Sequence, residues 1–285
     1  MGQKKKSGFP IPWFLRAIYR LIDFVSSRWG RKFAANVFFT VPRFPLPDRE
    51  IKFQNSGARR SLWNGRKEIR LFSWGPQGGE VIFLVHGWAG RATQMGDIAE
   101  KLAYEGFQVV GIDMPAHGES DGKRTSLIEF ERTIKRVYKH LQVERIHGII
   151  GHSMGGVASI LACKNLKTFD RCVIIGAPSD TPKVVSEFAE KMGMNGPKLK
   201  SFIDHMESIY KLRLTDFSAH HMARELDIPG LIVHDEKDQD VSLRNAKRLH
   251  KSWKNSSLMI TKGLGHRKIL GDPKVVERIH EFLKL

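Results

Sequence analysis

Ser153 stands in Gly151-His152-Ser153-Met154-Gly155, a G-x-S-x-G pattern set where a run of strand character, 146–150, gives way to a helical run, 157–163. A turn this tight needs small flanking residues so that the backbone can close while the hydroxyl projects outward. A serine hydroxyl is a weak nucleophile. It needs an adjacent base to take its proton, and the base needs an acid that fixes its tautomer and stabilises the imidazolium. The sequence offers twelve histidines and a dense carboxylate cluster, His234-Asp235-Glu236-Lys237-Asp238-Gln239-Asp240-Val241, from which such partners could come. If the chemistry is acyl transfer, negative charge develops on a carbonyl oxygen, and two preorganised N–H donors must await it.

Three segments together resemble the α/β-hydrolase superfamily, in particular its lipase, esterase and serine-aminopeptidase-like branches. Gly151-His152-Ser153-Met154-Gly155-Gly156 resembles the nucleophile elbow, and Val85-His86-Gly87-Trp88-Ala89-Gly90 is similar to the loop that supplies part of the oxyanion hole. Asp113-Met114-Pro115-Ala116-His117-Gly118-Glu119-Ser120 is close to the family's D-x-P-G-H-G-x-S, with Ala116 replacing a glycine. The resemblance covers the chain from about Lys67 onward. It implies Ser153 as nucleophile and the backbone amides of Trp88 and Met154 as the oxyanion hole. The family's chain order of serine, acid, histidine selects His266 in Gly263-Leu264-Gly265-His266. The acid is Asp238 by resemblance to H-G-x-x-D-x-x-V, with Asp240 in reserve and the other carboxylates read as solvated loop charges. His86 and His117 are expected to brace loops, and His152 to point away from the nucleophile.

The elements that must hold these residues alternate along the chain. Strand character is read at 51–54, 68–74, 81–85, 109–112, 146–150, 172–175, 231–233 and 258–261, with helical stretches at 91–105, 125–141, 154–166, 242–253 and from Pro273. This predicts an α/β fold, a mostly parallel central sheet with helices on both faces. Between Pro178 and Pro229 only helical segments occur, so a small helical cap is expected after the sixth strand, at about 178–228. The cap carries Phe188, Met192, Met194, Phe202, Met206, Phe217 and Met222, which would serve either as an apolar roof over an acyl chain or as packing between cap and body. The domain reading is residues 1–47 as an N-terminal amphipathic helical segment with a Pro-rich link, and 48–285 as the catalytic domain.

Cys163 and Cys172, the two cysteines, suit buried reduced thiols in a cytoplasmic protein, and no zinc-like spacing or cofactor motif is present. A net charge of +17 is compatible with nucleic acid, an anionic membrane or an acidic substrate, but the bases are scattered and match no nucleic-acid-binding signature. From Phe9 to Val41, Phe14, Ile18, Leu21, Ile22, Val25 and Trp29 recur at helical spacing beside Arg16, Arg20, Arg28, Arg31 and Lys32. Together with Lys4, Lys5 and Lys6 this predicts one amphipathic helix that either covers the domain or tethers the protein peripherally to an anionic membrane. The expected activity is cleavage of a small-molecule carboxylic ester through an acyl-enzyme. Thioester or amide cleavage by the same residues, or a non-catalytic binding role on the same scaffold, are the alternatives. Serine rather than aspartate at the elbow argues against dehalogenase and epoxide hydrolase chemistry.

Overall fold

In the computed structural model, residues 11–65 and 67–285 are described. Lys4, Lys5, Lys6 and Phe9, grouped above with the N-terminal segment, lie outside them. Eight strands form a single sheet in the order β1-β2-β4-β3-β5-β6-β7-β8. They are β1 (Ala58–Asn64), β2 (Lys67–Trp74), β3 (Val81–Val85), β4 (Gln108–Ile112), β5 (Ile146–His152), β6 (Phe169–Ile175), β7 (Gly230–Asp235) and β8 (Ser256–Thr261). β1 pairs antiparallel with β2 and β2 with β4, and every pairing from β4 through β8 is parallel.

The central strands read as unbroken apolar runs because both faces are covered. On β3, Val81, Phe83 and Val85 enter one core and Ile82 and Leu84 the other. The first core is closed by α5 (Leu127–Leu141), α6 (Met154–Leu166) and α10 (Arg244–Ser252), through Phe130, Ile134, Ile160 and Leu249. The second is closed by α3 (Asp48–Ser56), α4 (Gly96–Tyr104) and α12 (Pro273–Lys284), through Phe53, Ile98, Leu102 and Ile279. Each face therefore removes a continuous apolar layer from water, at about 25 cal/mol per Å².

One sequence expectation fails at the first strand, and one strand goes unread there. Residues 51–54 lie inside helix α3, whose start is set by Pro47 as N-cap and Asp48 and Glu50 in the first turn. The true first strand, β1, was hidden because Arg59 and Arg60 break its apolar pattern. As an edge strand it faces solvent, where such charges are tolerated and discourage pairing with another chain.

After β6 come α7 (Thr181–Met192), α8 (Pro197–Tyr210) and the short α9 (Ala219–Met222), with no strand before β7. The N-terminal segment is two helices rather than one: α1 (Trp13–Val25) and α2 (Ser27–Phe39), broken at Ser26, whose backbone is extended and whose hydroxyl accepts from the Trp29 N–H at 3.4 Å. Tyr19, Ala34 and Ala35 of this hairpin form a third core with Val185, Met192, Met194, Phe202 and Met206. Met192, Met194 and Met206 of the cap are thus consumed in packing with α1 and α2. Phe217 and Met222 turn instead into the first core.

The two N-terminal helices cross where α2 carries Gly30. A Cβ there would lie 2.7 Å from Asp23 Oδ1 and 2.8 Å from Asp23 Cβ. Gly30→Ala should therefore overpack the crossing and destabilise the protein by about 1–3 kcal/mol, despite alanine's better helix propensity. Chemical denaturation checks this against Arg28→Ala, an exposed neighbour expected to be near neutral.

Candidate active site

The site assembles at the carboxyl ends of β3, β5 and β7. Ser153 follows β5 directly, with φ 53° and ψ −119°, a left-handed conformation that a non-glycine residue adopts only when its surroundings force it. Its N–H donates to the Ile175 carbonyl at 2.9 Å, tying the turn to β6. The helix start is pressed onto the β3 loop so closely that a Cβ at Gly155 would lie 2.2 Å from the Val85 carbonyl oxygen. Glycine is required at that position for space alone.

His266 does not sit in an open loop as expected, but in the short helix α11 (Gly265–Lys268). Its Nδ1 donates to Asp238 Oδ2 at 2.7 Å. The other oxygen of Asp238 accepts the N–H groups of Asp240 and Val241, each at 2.8 Å. Burial of Asp238 pushes its pKa up, but the His266 hydrogen bond and charge, with those two N–H groups, outweigh it and hold the carboxyl below its ordinary range. Asp240 instead pairs at 3.5 Å with Arg267.

Ser153 and His266 line one cleft of about 160 Å³, with Trp88, His152, Arg267 and, across from them, Phe44, Pro45 and Pro47 of the link. No local pattern signals that the link forms this wall. Arg43 fixes it in place by donating to the Gly118 and Ser120 carbonyls at 3.0 and 2.5 Å, and Arg91 donates to the Phe44 carbonyl at 2.8 Å. None of the cleft's lining residues comes from α7, α8 or α9.

Trp88 lies in the loop after β3, and Met154 opens α6. Met154 is the first residue of α6, so its N–H has no acceptor within the helix. Beside Trp88, the Ala89 N–H donates to His117 Nε2 at 2.9 Å and the Gly90 N–H to the Gly87 carbonyl at 3.1 Å. Both bracing histidines are held at two nitrogens. His86 Nδ1 donates to the Gly87 carbonyl at 2.7 Å and its Nε2 accepts from the Met114 N–H at 3.0 Å. His117 Nδ1 donates to the Pro115 carbonyl at 3.0 Å, and burial pushes its pKa down to about 4. Ala116, in the glycine position of its motif, takes φ 70° and keeps the left-handed turn that glycine would make.

Two residues matter here more than the sequence suggested. His152 does not point away: as the last residue of β5 it lines the cleft, its ring 4.6 Å from that of His266 and its Nε2 donating to the His266 carbonyl at 2.9 Å. Burial, reinforced by His266, pushes its pKa down to about 3, so it serves as a neutral brace. Asp235, read above as a solvated charge, is fully buried. Its carboxylate accepts from the Lys237 N–H at 2.9 Å, the Thr261 hydroxyl at 2.8 Å and the Leu264 N–H at 3.0 Å. It thereby joins β7, β8 and the turn leading to His266. The signal was available: Asp235 ends a buried strand and takes the glycine position of its motif.

The comparisons with known proteins agree with this architecture. Residues 80–204 match the family model for the alpha/beta hydrolase fold. The chain is 36% identical over 98 residues to the dihydrolipoyllysine-residue acetyltransferase component of the acetoin cleaving system of Pseudomonas putida, covering 34% of this chain and 26% of that protein. It is 26% identical over 252 residues, 70% of this chain and 89% of the relative, to the bifunctional esterase/perhydrolase of Acinetobacter calcoaceticus. Among solved structures, an esterase of Pyrococcus furiosus superposes with a TM-score of 0.66 at 20% identity, covering 86% of this chain and 98% of that one. The chain has the alpha/beta hydrolase fold, and over residues 80–204 it is similar to that family.

For Asp235, burial raises the carboxyl and its hydrogen-bond donors lower it further, to about 2 from an ordinary 3.8. A depressed carboxyl contributes stability above its unfolded value and loses it as pH falls toward the folded one. Asp235→Asn should therefore melt well below the parent at pH 7, with the gap closing as pH drops below about 4. Thermal melts across that range check this, and a gap independent of pH would contradict it.

Proposed function

We propose that the protein hydrolyses a carboxylic ester of a small molecule, with Ser153 as nucleophile, His266 as general base and Asp238 as its acid partner. The observation that carries this reading is the 2.7 Å bond from His266 Nδ1 to Asp238, made by a histidine that shares a cleft with Ser153. Because Nδ1 carries the proton toward Asp238, Nε2 is the nitrogen left with a free lone pair. In this reading Ser153 Oγ attacks the ester carbon while its proton passes to His266 Nε2. The oxyanion is met by the N–H groups of Trp88 and Met154, and protonated His266 then delivers its proton to the departing alkoxide. Water attacks the acyl-enzyme by the same route in reverse, releasing the acid and restoring Ser153. None of these steps calls on a cofactor or metal, and no nucleic-acid partner enters the reading.

The cleft's 160 Å³ is below the roughly 300 Å³ at which drug-sized ligand pockets begin, and its wall is Phe44, Pro45, Pro47 and Trp88. That supports a short acyl group rather than a long chain under a methionine roof. The same residues could cleave a thioester or amide, so the leaving group is part of the test.

Ser153→Ala is expected to lower kcat by about 10⁴–10⁶ and to abolish labelling by a fluorophosphonate. Asp238→Asn should cost about 10⁴ in kcat, whereas Asp240→Asn should leave it within a few fold. Nitrophenyl acetate and butyrate should be turned over faster than the octanoate and faster than matched thioesters or anilides. Steady-state kinetics over that series decides the reading: near-normal turnover by Ser153→Ala would refute the mechanism, and a preference for thioesters or anilides would replace the ester.

A further inference from the structure

The hairpin of α1 and α2 has two unlike faces. One packs on the cap, as described above. On the other, Trp13, Phe14, Leu21, Phe24, Val25 and Trp29 are between 48% and 92% exposed. Helical spacing gathers them, since Phe14, Leu21 and Val25 recur on one stripe of α1 while the intervening Tyr19 and Asp23 turn inward. At the bend, Leu21, Ile22, Val25 and Trp29 line an open groove. A soluble surface seldom gathers this many large apolar side chains without a partner.

The charge around this face identifies the partner's chemistry. Residues 13–39 carry Arg16, Arg20, Arg28, Arg31 and Lys32 and a single acid, Asp23. Asp23 is buried against the body and paired with Lys198 at 2.5 Å, so it offers no negative charge to an approaching surface. Lys32 lies 5.1 Å from the Trp29 ring centroid, placing a cation directly beside an exposed aromatic. A cationic rim around protruding tryptophan and phenylalanine matches the interface of an anionic bilayer, where rings insert at headgroup depth and bases meet lipid phosphates. A second copy of this chain fits poorly, because it would set the exposed cations Arg16, Arg28 and Lys32 of one face against the same three of the other.

We propose that this outer face of the α1–α2 hairpin docks the protein peripherally on an anionic lipid bilayer. It lies on the membrane without crossing it: among the described residues no helix is long and apolar enough to span one, and a helix of 13 residues is about 20 Å long against a hydrocarbon core of about 30 Å. The proposal is independent of the reaction assigned to Ser153. It does place that reaction near lipid in sequence terms, because α2 runs through Thr40 into the Phe44–Pro47 wall of the cleft.

The test is co-sedimentation of the full chain with vesicles of phosphatidylcholine alone or mixed with phosphatidylserine, at low and high salt. The protein should pellet with the mixed vesicles at low salt and be released by high salt. Replacing Arg16 and Arg28 by glutamine should weaken partition into the anionic vesicles by about thirtyfold, about fivefold for each charge. Leu21→Ser with Phe24→Ser should weaken it by roughly tenfold or more, since both side chains are largely exposed in the free protein and are there to be buried. Circular dichroism melts confirm that these surface variants stay folded. Failure of the folded full chain to bind anionic vesicles would overturn the proposal, as would unchanged partition of both variants. So would sedimentation velocity showing a stable dimer that the Leu21/Phe24 variant dissolves, which would assign the face to self-association.

Discussion

The hydrogen bond from His266 to Asp238 spans 28 residues of sequence, and the carboxyl end of the sheet is organised around keeping it at 2.7 Å. β7 and β8 run parallel in register from Gly230–Ser256 to Asp235–Thr261, which brings the two following loops side by side. Asp235 then bonds across both loops, while His152 supports His266 from β5. On the other side the Val241 and Asp240 N–H groups fix the Asp238 carboxylate, and the Val241 carbonyl is bonded by His234 at 2.8 Å. A carboxylate buried this way would be costly if any of these donors were lost, which is why the shell is made mainly of backbone groups.

The same edge stores backbone strain. Ser153 and Ala89 hold positive φ on loops that line the cleft, and Ala116 does so on the β4 loop that braces the second of them through His117. Each costs on the order of 1–2 kcal/mol, and each is held by packing that leaves no alternative. The loops also approach closely, since a Cβ at Gly87 would lie 2.9 Å from that of Ser153. The strain and the tight approach are two aspects of one constraint: loops from β3, β4 and β5 must share very little space.

Far from that edge, the N-terminal hairpin and the cap complete each other. Neither could bury its own apolar stripe alone, and their joint core explains why the cap methionines are withdrawn from the cleft. The link that leaves α2 is then stapled by Arg43 and Arg91 and becomes a wall of the site. Residues 44–50 and 87–94, both from the chain's first third, thus shape a cleft whose chemistry comes from later residues.

Local pattern encodes part of this architecture. The alternation of buried strands with amphipathic helices reports a sheet covered on both faces, and Gly151 to Gly156 reports a sharp turn after β5, because a period or a glycine spacing is a property of neighbouring residues. Tertiary structure decided the rest. Whether Phe202 and Met206 roof a substrate or pack on α1 and α2 depends on a partner more than a hundred residues away. Its place at the end of a buried strand sets Asp235 apart from Glu236 and Asp240, but only the approach of β8 surrounds it with donors. The single helix expected before Val41 breaks at Ser26 because its two halves gain more by folding back on the cap than by continuing straight. Such choices are made by long-range burial, which the periodicity of a segment records only as one apolar stripe.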